Sequence, residues 1–123
     1  MKRIIAILLM LIPCAVMAQE AKQDSLRLLF VGNSYTYYND LPQMVYEIAK
    51  TKKKKLSVRS VTKGGERLKG HLNNEKLREM LTSEKWDFVI LQEQSSAPAK
   101  QTETVIADIY PAAKSLDSLI HVG

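Results

Sequence analysis

Three short apolar runs alternate along this chain with three stretches of helical period, and that alternation limits the folds open to it. Leu26–Val31 (Leu-Arg-Leu-Leu-Phe-Val) reads as a buried strand stopped by Gly32. Leu41, Met44, Val45, Ile48 and Ala49 then fall on one helical stripe, with Asp40 at the N-cap and Pro42 in the first turn, where its missing N–H costs nothing. Leu56–Val61 is a second strand, broken at Lys63-Gly64-Gly65. Leu77, Met80 and Leu81 mark a helix around Asn74–Glu84. Trp86–Leu91 (Trp-Asp-Phe-Val-Ile-Leu) is the strongest strand signal, and Ala97-Pro98 closes the loop after it. Val105, Ile109, Ala112, Leu116, Leu119 and Ile120 keep helical spacing, with Pro111 expected to kink or divide that helix. Strands separated by helices pair in parallel through right-handed crossovers, so the fold class is α/β.

The length, 123 residues, suits one domain, and 46% apolar with 25% charged residues excludes wholesale disorder. The N-terminus has a separate purpose. Met1-Lys2-Arg3 is basic, Ile4–Met17 is apolar apart from Pro13, and small residues precede Gln19. This is the pattern of a secretory signal peptide over 1–18, cut after Ala18, with the domain occupying 19–123. The apolar run is too short to span a bilayer about 30 Å thick, so no stable membrane anchor is expected after cleavage. A lipoprotein reading would acylate Cys14, but Pro13 stands where a small residue is usual. As Cys14 is the single cysteine, no intrachain disulfide or Cys-based zinc site can form. Loss of Lys2 and Arg3 lowers the formal charge from +5 to +3, too mild for a nucleic-acid binder. The basic cluster Lys50, Lys52, Lys53, Lys54 and Lys55 reads as a solvated helix end, with phosphate or surface binding the lesser alternative.

In open parallel sheets ligands bind beyond the carboxyl ends of the strands. Three polar loops stand there: Gly32-Asn33-Ser34-Tyr35-Thr36-Tyr37, Lys63-Gly64-Gly65-Glu66, and Gln92-Glu93-Gln94-Ser95-Ser96. They supply a hydroxyl nucleophile, glycine N–H groups that can approach a ligand, and carboxamide donors. These are the parts of an acyl-transfer site. Singly, each also has a bland reading: Ser34 can cap a turn and Gly64-Gly65 can merely permit one.

The segment Leu28-Leu29-Phe30-Val31-Gly32-Asn33-Ser34-Tyr35-Thr36 resembles the first block of the SGNH (GDSL-like) hydrolases, in which the serine of Gly-Asp-Ser or Gly-Asn-Ser is the nucleophile. Lys63-Gly64-Gly65-Glu66-Arg67 resembles the second block, with Gly65 matching the oxyanion-hole glycine better than Gly64. The usual asparagine of the third block is absent. Gln92-Glu93-Gln94-Ser95 is similar to the Gln-Gly-Glu-Ser variant of acetylesterase branches, which points to Gln92, with Gln94 the second choice. The resemblance runs from about Leu26 to Ala97. It implies a three-layer α/β/α, flavodoxin-like sheet of which this chain carries the N-terminal portion. It implies hydrolysis of acyl, often acetyl, esters of carbohydrates or lipids, with Ser34 as nucleophile. Ser34, Gly65 and Gln92 or Gln94 would form the oxyanion hole. Asn33, Tyr35 and His71 would be further substrate contacts. No metal or organic cofactor is implied, and the partner is a small-molecule or glycan ester met in the periplasm or outside the cell.

The family's general base is a histidine three residues after an aspartate, near the C-terminus of a domain about twice this long. His71 reads instead as a surface or helix-start residue. His121 follows Asp117 at i+4, the wrong spacing, and reads as a helix C-terminal histidine. The expectation is therefore an N-terminal part lacking its Asp-His pair and poorly active alone. Two rivals remain: an inactive fragment, and a non-catalytic carbohydrate-binding relative that stacks sugars on Tyr35, Tyr37 and Tyr38. For those tyrosines the plainer reading is half-buried packing.

Overall fold

The computed structural model describes residues 25–122. The expected signal peptide and Cys14 lie outside the described residues. Eight elements follow in order: β1 (Leu26–Gly32), α1 (Ser34–Tyr37), α2 (Leu41–Thr51), β2 (Leu56–Thr62), α3 (Leu68–His71), α4 (Glu75–Ser83), β3 (Phe88–Leu91) and α5 (Thr102–Ile120). The three strands form one parallel sheet in the order β2-β1-β3, an α/β fold. The register pairs Leu28 with Val58 on one side and with Phe88 on the other.

Alternation along β1 assigns its two faces. Leu29 and Val31, fully buried, point into a core with Val61, Leu68 of α3, Leu77, Met80 and Leu81 of α4, and Ala112 and Leu116 of α5. Leu28 and Phe30, also buried, point to the opposite face, where α2 packs over β2. Phe88 and Ile90 share that second face. No described element covers Phe88, which is 58% exposed. The apolar stripe of α2 is likewise only partly used, because Leu41, Met44 and Ile48 face outward.

The caps follow the residue chemistry. Asp40 caps α2 by accepting from the Gln43 N–H at 3.3 Å, and Asn74 caps α4 by accepting from the Leu77 N–H at 3.0 Å. At the amino ends of the strands, Glu84 bridges Arg27 of β1 at 2.5 Å and Arg59 of β2 at 2.6 Å. Both guanidinium groups lie over the Trp86 ring, 4.8 and 5.6 Å from its centroid.

Some elements differ from the sequence reading. β3 begins at Phe88, not Trp86, because the Trp86 indole N–H turns back to donate to the Met80 carbonyl at 2.9 Å. Helix α5 runs through Pro111 without dividing. Two single-turn helices, α1 and α3, stand where loops were expected. Among the described residues no helix is long and apolar enough to cross a membrane.

Candidate functional site

Strand order decides which loops can meet. Because β1 is central, the Asn33–Ser34 turn rises between the glycine loop after β2 and the glutamine loop after β3. Gly32 is the last residue of β1, and only hydrogen fits there. A Cβ would collide with Thr36 Oγ1 and stand 2.6 Å from Gln92 Oε1. The chain can therefore turn sharply into α1.

Asn33 is buried and links two of the loops. Its Oδ1 accepts from the Tyr35 N–H at 3.2 Å, capping α1, and its Nδ2 donates to the Glu66 carbonyl at 2.9 Å. From the other side Gln92 Oε1 accepts from the Asn33 N–H at 3.0 Å and from Thr36 Oγ1 at 2.9 Å. Two donors converging on that oxygen fix the orientation of the amide, and the Gln92 Nε2 then donates to the Glu93 carbonyl. Gln94 differs. Its Oε1 accepts from the Ser96 N–H and hydroxyl, while its Nε2 takes no partner among the described residues.

His71 is not on the surface, as the sequence suggested. It is 2% exposed, and its Nε2 bonds the Gly32 carbonyl at 2.8 Å, which requires the proton on Nε2. The same carbonyl accepts from the Lys63 N–H at 3.3 Å. Helix α3, which Leu68 anchors in the core, brings the ring there. His71 thus braces the backbone just before Asn33 and Ser34.

Ser34 opens α1 and is half-buried. Neither its hydroxyl nor its backbone N–H takes a partner among the described residues. It lines an open cleft of about 260 Å³ with Tyr35, Tyr38 and Asn39. Tyr35 and Tyr38 are 67% and 81% exposed, which sets aside the packing reading for those two. Tyr37 is turned toward the glycine loop: a Cβ on Gly64 would stand 3.1 Å from its hydroxyl. Gly65 adopts φ +67° with open space around it, and its N–H is also unpartnered among the described residues. A left-handed turn there favours glycine, which carries no Cβ penalty.

Charge stiffens the surrounding loops. Glu66 accepts from Lys63 Nζ at 2.8 Å and from the Arg67 N–H at 3.1 Å. The Lys63 hydrogen bond, then that of Arg67, holds the Glu66 carboxyl below its ordinary range, and Lys63 is raised in return. Arg67 reaches Glu93 at 3.7 Å and Asp108 of α5 at 3.5 Å, so the second and third loops and the last helix share one cation. No sequence motif by itself singles out Thr36, Arg67 and Glu93 for this network. The one available signal was their place beside the glycines and glutamines already singled out. His121 caps the end of α5 and bonds the Asp117 carbonyl, as its place in the helical stripe implied.

Comparison with protein-family models, with curated proteins and with solved structures returned no match. The chemistry of this end of the sheet therefore rests on its own geometry. That geometry offers a serine hydroxyl, two N–H groups and one carboxamide NH2 without partners among the described residues, on three loops tied together by Asn33, Gln92 and Arg67.

Proposed function

We propose that this chain is the N-terminal portion of an exported serine acyl hydrolase of the SGNH type. Its substrate would be an acyl ester, acetyl esters included, of a carbohydrate or lipid. The observation that carries this reading is the placing of Ser34 between two loops that also hold open donors: the Ser34 N–H, the Gly65 N–H and the Gln94 Nε2 have no partner among the described residues. Open donors on the loops that flank a nucleophilic serine are what an oxyanion hole is built from.

In this reading the Ser34 hydroxyl attacks the ester carbonyl and the three donors receive the developing oxyanion. Hydrogen bonding favours Gln94 as the third donor, because Gln92 spends both ends of its amide bracing Asn33 and the Glu93 backbone. No cofactor enters. Tyr35 and Tyr38 beside Ser34 would form a wall for a sugar or acyl chain. The proton of Ser34 needs a base that neither His71 nor His121 offers, one being bonded to Gly32 and the other capping α5. A histidine from a further segment, following an aspartate, would complete the site. The two exposed tyrosines also favour a second reading, a non-catalytic relative that binds glycans.

Hydrolysis of p-nitrophenyl acetate by the chain and by Ser34→Ala separates the two. Turnover that disappears in Ser34→Ala supports the hydrolase. Glycan binding that survives in Ser34→Ala, with no turnover in any form, supports the binding module.

A further inference from the structure

A second concave site lies at the opposite end of the sheet. Lys50, Lys53, Lys54 and Lys55 line a cleft of about 500 Å³ with Tyr46 and Leu56, at the amino ends of the strands. The seven residues of β1 separate it from the Ser34 end by roughly 20 Å at about 3.3 Å per residue, so it is no part of the acyl site.

The lysine side chains are not required to close the end of α2. The carbonyls of Ile48, Ala49 and Lys50 in the last turn of α2 are already occupied. The Lys53 N–H donates to the Lys50 carbonyl at 2.9 Å and the Lys54 N–H to the Ala49 carbonyl at 2.9 Å, the paired bonds of a Schellman cap. The side chains are therefore not needed to satisfy the helix end. The cap also places Lys53 at φ 54°, in the left-handed position that glycine fills by default. A lysine there costs stability that glycine would recover. Strain of this kind is retained where the side chain has a use.

The charges are also uncompensated. No carboxylate lines the cleft. Lys50 comes within 3.9 Å of Glu47, an exposed pair, and Lys53, Lys54 and Lys55 make no ion pair among the described residues. Ammonium groups gathered in one concavity repel each other until an anion enters. Tyr46 and Leu56 give the cleft an apolar wall for whatever carries that anion.

We propose that this cleft binds a small ligand bearing a phosphate or sulfate ester, with the oxyanion held among Lys50, Lys53, Lys54 and Lys55 and its carrier against Tyr46. The proposal is independent of the hydrolase reading.

The test titrates the full chain with a glucose monophosphate, the matching glucose sulfate and plain glucose, followed by backbone amide shifts. Saturable shifts at Lys53–Leu56 with both esters and none with glucose are expected. Lys53→Gly is the decisive variant. It should raise the melting temperature by relieving the left-handed lysine and weaken ester binding roughly tenfold, the effect of about 1.4 kcal/mol. Lys53→Gly/Lys54→Ser should weaken it further, and Lys76→Ser on α4 should leave it unchanged. Unaltered ester binding in the double variant would overturn the proposal. So would binding confined to vesicles of phosphatidylcholine with phosphatidylglycerol, which would make the lysines a membrane-facing patch.

Discussion

Gln92 Oε1 sits 3.0 Å from the Asn33 backbone nitrogen and 2.9 Å from Thr36 Oγ1, so one side chain at the end of β3 holds both ends of the turn that presents Ser34. Replacing it with leucine removes the acceptor from two donors on buried residues. Leaving such groups unpaired costs about 1–3 kcal/mol. Chemical denaturation of Gln92→Leu should show a loss of that size, and Thr36→Val a smaller one.

Gln94 is expected to behave in the opposite way. Its side chain braces nothing beyond Ser96, so Gln94→Ala should change stability by less than about 0.5 kcal/mol. Removal of an oxyanion donor typically costs about 10²–10³ in kcat. Measured on a form with esterase activity, Gln94→Ala should show that loss with a normal denaturation curve. If activity survives and Gln92→Glu instead abolishes it with stability intact, the donor is Gln92.

The two glycines of the site should fail for different reasons. Gly32→Ala drives a methyl group into Thr36 and Gln92, an overpacking cost of roughly 1–3 kcal/mol. Gly65→Ala meets no atom within 4 Å, but its φ of +67° costs a side-chain-bearing residue about 1–2 kcal/mol. Gly65→Asn, which tolerates the left-handed region, should recover most of that stability, whereas Gly32→Asn should not.

Without a placed general base, this chain alone should be a weak catalyst. General-base catalysis contributes about 10²–10⁴-fold, and neither described histidine is placed to supply it. A form extended by a segment containing an aspartate three residues before a histidine should hydrolyse p-nitrophenyl acetate far faster. Robust turnover by the 123-residue chain, lost in Ser34→Ala, would show that the base is already present.

Acid should loosen the amino ends of the strands. The hydrogen bond from Arg59, then that from Arg27, holds the Glu84 carboxyl below its ordinary range. A carboxyl depressed on folding contributes stability above its unfolded pKa and loses it as pH falls through the folded value. Thermal melts of the wild type should therefore decline as pH drops below the ordinary carboxylate range. Glu84→Gln should start lower at neutral pH and decline less. Parallel curves would mean that the two arginines do not depend on that charge.

Much of the architecture is legible in local pattern. The alternation of Leu26–Val31, Leu56–Val61 and Trp86–Leu91 with helical stripes is enough for a parallel α/β sheet, because each period follows from backbone geometry. The caps Asp40 and Asn74 and the glycine breaks at Gly32 and Gly65 are equally local. What no local pattern carries is the strand order. Only the order β2-β1-β3 puts Ser34 between the glycine and glutamine loops, and it arises from which apolar faces bury together over the whole sheet. The partners of long-range hydrogen bonds are decided the same way. His71 lies 39 residues from Gly32 and Gln92 lies 59 from Asn33. A histidine before an ordinary leucine reads as a surface residue until Leu68 enters the core and carries α3 under the β1 carbonyl. Residue types and periods are set by neighbours along the chain. Which polar groups are spent and which stay free is set by packing between segments far apart in it.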